Sequence, residues 1–189
     1  MPRRRIAPLA CLGVVSLGVA LACARPGRTM RPSHGAPAGQ AGAIPPEGAP
    51  PLHLSDVAQE GDPARRASMR FVLQGLDADA GGSTDLAADL YQRALQVDPS
   101  NPYAYLALGR QRAEGPEPAR ALPYLEKAQV LFGAQKAETP SVEADLCGLR
   151  ALALEAAGRS AEAEQQMARA KALAPDIWRD GRLDADELR

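Results

Sequence analysis

Apolar residues in the C-terminal two thirds of the chain recur at spacings of three and four, the pattern of an amphipathic helix. A segment of the sequence also recurs as two copies separated by a longer fixed period. The two copies hold a small residue, a large apolar residue or a helix breaker at equivalent positions. The matched pairs are Gly75 and Gly109, Ala87 and Ala121, Tyr91 and Leu125, Ala94 and Ala128, and Pro99 and Gly133. A fixed period of about 34 residues is typical of stacked helix pairs, so the pattern predicts a series of helical hairpins.

A third copy follows the second at a longer offset, which places eight inserted residues near 133–141. Its matching residues are Ala151, Gly158, Ala163, Met167, Ala170 and Pro175. The three copies resemble the tetratricopeptide repeat (TPR), with boundaries near 68–101, 102–135 and 144–177. The resemblance implies an all-α fold in which three TPR-like helical hairpins form a short right-handed solenoid with a short C-terminal helix. We assign this domain to residues 61–178 and expect a solvated tail at 179–189.

Local signals agree with these repeats, with one exception. Asp62 and Asn101 each precede a proline, which predicts a capping residue followed by the first position of a helix. Pro123 fits less well, because it falls about five residues inside the second helix of repeat two. There it should kink the helix or cost up to ~3 kcal/mol.

The N terminus has the features of an export signal. Three arginines follow Met1 and Pro2, and the next 17 residues, 6–22, carry no charge. The sequence before Cys23 resembles the lipobox of bacterial lipoproteins, although Ala20 and Leu21 stand in the reverse of the commonest order. We therefore expect a signal peptide at 1–22 and acylation of Cys23. The alternative is an ordinary secretory signal cleaved after Ala22, which leaves Cys23 as a free thiol.

Residues 23–60 are rich in proline, glycine and alanine, with seven prolines and five glycines between 24 and 60. Such a composition buries too little apolar surface to offset the entropy of ordering, so it predicts a disordered tether. The two histidines of the chain, His34 and His53, both fall here, 19 positions apart, and do not indicate a metal site.

Composition excludes several classes of protein. Aromatic residues make up 4% of the chain, and the apolar share comes mainly from Ala and Leu, which disfavours a β-rich fold. Removal of Arg3, Arg4 and Arg5 with the signal peptide leaves 19 basic against 23 acidic side chains. A nucleic-acid binder needs a basic face, so we expect no nucleic-acid partner.

The sequence contains no motif of an active site. It has no phosphate-binding glycine loop, HExxH or CxxC motif, and the predicted domain has no histidine to act as a general base. Its carboxylates lie among Ala and Arg at helical spacing, which indicates a solvated face. We therefore predict a protein that is not an enzyme and has no metal, no cofactor and no small-molecule substrate.

The resemblance to TPR proteins implies that the first helix of each hairpin lines a groove for a segment of a partner protein. The residues at the corresponding positions are Met69, Val72, Leu76, Tyr103, Leu106, Arg110, Asp145, Leu149 and Leu152. Tyr103 and Arg110 are the strongest candidates because such side chains often carry binding energy, although Tyr103 could instead pack between hairpins. Trp178 could cover the core of the domain or anchor a partner.

One mode of binding in the family is not expected here. TPR domains that clamp the carboxylate tail of heat-shock chaperones use Lys, Asn and Arg side chains. The corresponding positions of this chain hold Val72, Leu76, Ala107, Asp145 and Leu149. A mixed apolar and polar groove is more typical of binding to an amphipathic segment.

These observations favour a lipid-anchored scaffold of the bacterial envelope that binds a protein partner, as do TPR lipoproteins that assist secretion, pilus assembly or outer-membrane assembly. Alternatives are an accessory subunit of a cell-wall enzyme and a soluble periplasmic protein without lipid. Ala24 replaces the Asp that commonly retains lipoproteins at the inner membrane, so we expect the outer membrane, facing the periplasm.

Overall fold

The computed structural model of the protein describes residues 48–189, which form eight α-helices and one 3₁₀ helix and contain no strand. The α-helices are α1 (Leu54–Val57), α2 (Pro63–Ala80), α3 (Thr84–Val97), α4 (Pro102–Glu114), α5 (Leu122–Gln135), α6 (Pro140–Ala156), α7 (Ser160–Leu173) and α8 (Ala185–Leu188). The predicted signal peptide, Cys23, His34 and the tether up to residue 47 lie outside the described residues. The predicted all-α fold is confirmed.

Helices α2 and α3, α4 and α5, and α6 and α7 pack as three successive hairpins. Small residues lie where the helices of a pair meet, as the repeat pattern predicts. Gly75 lies so close to the ring of Tyr91 that an added Cβ would overlap it, and a Cβ on Gly109 would lie 2.6 Å from Cδ2 of Leu125. Ala151 is buried at the matching place of the third hairpin. Close helix approach thus depends on the absence of bulk at these positions.

The predicted starts of α2 and α4 are confirmed. The carboxylate of Asp62 accepts a hydrogen bond of 2.8 Å from the backbone N–H of Arg65. The side-chain oxygen of Asn101 accepts one of 3.1 Å from the N–H of Tyr103. Each cap satisfies a backbone donor that has no partner within its helix.

Pro123 neither kinks α5 nor removes one of its hydrogen bonds, because the helix begins later than predicted. Residues Pro118–Ala121 form the 3₁₀ helix, and α5 begins at Leu122. Pro123 therefore lies in the first turn, where the missing N–H would have had no partner within the helix. The prediction that it lies five residues inside the helix is wrong.

The eight inserted residues lengthen two helices. Helix α3 ends at Val97, whose counterpart in the second repeat is Leu131, yet α5 continues to Gln135. Helix α4 begins at Pro102, whose counterpart in the third repeat is Ala144, yet α6 begins at Pro140. The ends of α5 and α6 thus project beyond the repeat pattern.

The N-terminal arm, residues 48–60, packs against the hairpins and corrects the prediction of disorder for this part of the tether. The N–H of Ala49 donates to the carbonyl oxygen of Leu173 at 2.6 Å, and the hydroxyl of Ser141 donates to the carbonyl oxygen of Pro50 at 2.7 Å. Leu54 is fully buried. The average composition of 23–60 is poor in large apolar residues, but several apolar residues cluster between 52 and 58. Their burial provides the stabilisation that the rest of the segment lacks.

The C-terminal strap, residues 176–189, is also part of the fold. Trp178 and Leu188 are fully buried and Leu183 is 1% exposed, so the prediction of a solvated tail at 179–189 is wrong. The alternative in which Trp178 covers the core is confirmed. The indole lies against the first helix of repeat three, where an added Cβ on Gly148 would overlap it.

Candidate protein-binding groove

The face formed by the first helices α2, α4 and α6, which we call the groove face, carries the nine predicted contact residues. Five are fully buried, and three more are nearly so, the most open of them being 9% exposed. The fully buried ones are Met69, Val72, Leu76, Leu106 and Leu149; the next three are Tyr103, Arg110 and Asp145. Leu152, near the end of α6, is half-buried. In this arrangement eight of the nine side chains are covered by other parts of the chain.

The strap crosses all three first helices. Trp178 lies on α6, the carbonyl oxygen of Leu183 accepts a hydrogen bond of 3.4 Å from Arg110 on α4, and helix α8 packs on α2. Two ion pairs also join the strap to α4 and α2. Arg182 pairs with Glu114 of α4 at 2.7 Å, and Arg189 pairs with Asp77 of α2. The strap therefore follows the path that the TPR resemblance assigns to a partner segment.

The arm joins the strap over the groove face. The N–H of Ser55 donates to the carbonyl oxygen of Arg189 at 2.9 Å, which links the two terminal segments directly. Val57 and Glu60 lie close to Tyr103, whose ring packs edge-on against Phe132 with 5.0 Å between ring centroids. This ring contact joins α4 and α5 within the second hairpin, so it does not test the alternative in which Tyr103 packs between hairpins.

Asp145 is the most perturbed carboxyl group of the face. It is 3% exposed and accepts a hydrogen bond of 3.4 Å from the indole Nε1–H of Trp178. Burial, which disfavours the charged form, raises the pKa of Asp145 to about 7, and the nearby carboxylate of Glu187 adds to the effect. The indole hydrogen bond opposes the shift only in part. Near neutral pH this carboxyl group is therefore divided between its neutral and charged forms.

Arg110 is the second buried polar group of the groove face. Its guanidinium pairs with Asp79 of α2 and donates to the strap, while its Nε has no hydrogen-bond partner within residues 48–189. Burial lowers the pKa of Arg110 from its usual value, against the opposing charges of Glu114 and Asp184. Arg110 thus connects the first helices of repeats one and two to the strap.

A cleft of about 460 Å³ opens beside the projecting ends of α5 and α6. Two pairs of polar side chains on its walls are already joined: Arg150 donates to Gln129, and Arg169 forms an ion pair with Glu143. Cys147 also lines the cleft, and burial raises the pKa of its thiol. That shift favours the unreactive protonated form, so the cleft lacks the features of a nucleophilic site.

Two further classes of site are not found in the described part of the chain. Residues 48–189 contain no group of three His, Cys, Asp or Glu side chains arranged to hold a metal ion. Over the same residues, every helix is too short or too polar to cross a bilayer.

The sequence pattern identifies the groove face but not its cover. The repeats assign residues to the first helices, whereas nothing in them describes a segment outside the repeats. The sequence of the strap does hold a weak signal of burial. Three large apolar residues recur every five positions among charged residues, namely Trp178, Leu183 and Leu188. That spacing matches neither a helix nor a strand and therefore predicts no regular element.

Comparison with known families agrees with the fold. The family model for the TPR repeat matches residues 80–110, which cover α3 and most of α4. The resemblance to this repeat is thereby confirmed. No curated protein and no solved structure matches the chain significantly.

Proposed function

We propose that this tetratricopeptide-repeat chain is a lipid-anchored scaffold of the bacterial cell envelope that binds a protein partner. The observation that carries the proposal is the set of three packed hairpins, one part of which matches the repeat family. Repeats of this family commonly mediate binding between proteins. The segment before Cys23 supports the lipid anchor, and Ala24 supports sorting to the outer membrane.

The anchor is tested by intact-mass measurement of the mature protein and by incorporation of labelled palmitate. The expected result is an acylated N terminus at Cys23 and loss of label in Cys23→Ser. An unmodified N terminus would instead support a soluble periplasmic protein, the third interpretation of the sequence.

The scaffold role is tested by crosslinking in cells followed by purification through a tag inserted between residues 24 and 47, which leaves the sequence of the strap unchanged. Proteins that bind the folded domain should be recovered with the wild type and lost with Ala121→Arg, which disrupts the second hairpin. Recovery of secretion, pilus or outer-membrane assembly proteins supports the proposal. Recovery of peptidoglycan synthases or hydrolases supports the accessory subunit of a cell-wall enzyme. Equal recovery with the two proteins argues against a binding role.

A further inference from the structure

The strap is held on the groove face by a few anchors rather than along its whole length. Trp178, Leu183 and Leu188 are buried, whereas Arg179 and Arg182, between them, are exposed. A series of separated anchors in a groove is the usual form of peptide recognition.

The backbone of the strap is only weakly joined to the hairpins. Its four-residue helix α8 is the single helical element after α7, and Gly181 has a φ of +79° in the turn that precedes Leu183. One hydrogen bond reaches its backbone from a first helix, the long contact from Arg110. The strap can therefore leave the groove face without breaking a hydrogen bond within any helix of the repeats.

The face beneath the strap is chemically selective. Asp145 accepts from the indole N–H, a donor that phenylalanine and leucine lack. On α2 and α4, Asp77 and Glu114 form ion pairs with two of the three arginines of the strap, Arg189 and Arg182. One carboxylate oxygen of Glu114 is buried and has no hydrogen-bond partner in the part of the chain that the structure describes, so this rim can take a further donor.

We infer that the strap is a built-in ligand of the groove face, and that a partner competes for this face with a segment of the same chemistry. Such a segment presents an indole, two spaced leucines and arginines that meet the acidic rim. The inference rests on the proposed function, because it assigns the partner-binding surface of the scaffold. The strap then weakens the binding of a competitor. Only molecules whose groove face is uncovered can bind it, so the apparent affinity decreases as the uncovered fraction decreases.

The test uses a fluorescein-labelled synthetic peptide of residues 175–189 and the full chain in detergent, with binding followed by fluorescence anisotropy. Trp178→Ala removes the main anchor of the chain's own strap, so the added peptide should bind at least tenfold more tightly than to the wild type. Leu188→Ala removes only the last anchor and should give a smaller increase. Arg179→Ala is the matched control, since Arg179 is exposed and its one ion pair among the described residues is with Asp176 of the strap itself. It should bind the peptide as the wild type does.

A second peptide, with alanine in place of the tryptophan and both leucines, should bind none of these proteins. Equal affinity of the first peptide for the wild type and for both anchor variants would overturn the inference. It would also be overturned if both variants lost helical circular dichroism and cooperative unfolding, because the strap would then be part of the core. Neither result depends on an envelope partner, so the inference can fail while the crosslinking experiment succeeds, and the reverse.

Discussion

Replacement of Asp145 by Asn should make the stability of the domain less dependent on pH. Asn has nearly the same shape and keeps an oxygen that can accept from the indole of Trp178, but it carries no charge. The pKa of Asp145 is about 7 in the folded protein and near its ordinary value of 3.8 in the unfolded chain. The folded state therefore holds the proton more tightly. The contribution of Asp145 to stability is complete below about pH 4 and is lost as the pH rises through 7.

The size of the effect follows from the two pKa values. One pKa unit corresponds to about 1.4 kcal/mol, so the full loss is at most about 4 kcal/mol. Between pH 5 and 8 it amounts to roughly 2–3 kcal/mol. Asp145→Asn lacks this loss, so its stability relative to the wild type should rise by that amount between the two pH values.

The assay is urea unfolding of both proteins at pH 5 and 8, followed by far-UV circular dichroism and by the fluorescence of Trp178. The other titrating groups are common to both proteins and cancel in the difference. Asp186→Asn is the matched control, because it removes an exposed negative charge from the strap without changing the buried site. A difference between Asp145→Asn and the wild type that stays the same at the two pH values would refute the reasoning.

Two further substitutions and one measurement of thiol reactivity test the packing of the domain. Gly148→Ala places a Cβ within the indole of Trp178 and should destabilise the domain by about 1–3 kcal/mol, seen as a lower thermal midpoint; an unchanged midpoint would contradict the close contact. Ala121→Arg puts a long charged side chain at a fully buried crossing and should abolish cooperative unfolding, whereas Ala134→Arg on the exposed side of α5 should not; equal effects would mean that the hairpin assignment is wrong. The thiol of Cys147 should react with a chromogenic disulfide much more slowly in the native protein than in urea, and equal rates would contradict its burial.

The hairpins could be predicted from sequence because their signal is local and repeated. Gly75 and Gly109 occupy equivalent helix crossings, and no other residue type allows the same approach to Tyr91 and Leu125. A requirement of this kind recurs at every copy, so a single sequence displays it several times.

The start of α5 was harder to place, because the repeat gives the crossing residues and not the first turn. Pro123 is compatible with a helix that starts one residue earlier, and the chain relieves the conflict by forming a 3₁₀ turn before it. Helix boundaries depend on such local alternatives, which differ little in free energy.

One alternative from the sequence had Trp178 covering the core, but the path of the arm and strap over the groove face could not be predicted, because its contacts join distant parts of the sequence. Leu54 and Trp178 lie outside the repeats, and their burial depends on surfaces that exist only after the hairpins have stacked. Composition averaged over 23–60 predicted disorder, although its last residues carry enough apolar surface to pack. Residues assigned to a partner, such as Arg110, are instead contacted by the chain itself.

The bond between Ser55 and Arg189 has a consequence for the order of folding. Each hairpin closes a loop within one repeat, whereas this bond joins the two ends of the described chain. Closure of long loops is slow relative to local pairing. The hairpins should therefore form first, and the contact between the arm and the strap should form last. Repeat arrays ordinarily fold and fray unit by unit. The arm and the strap each extend from repeat three to repeat one, so together they couple the outer units, and all three should melt in a single transition.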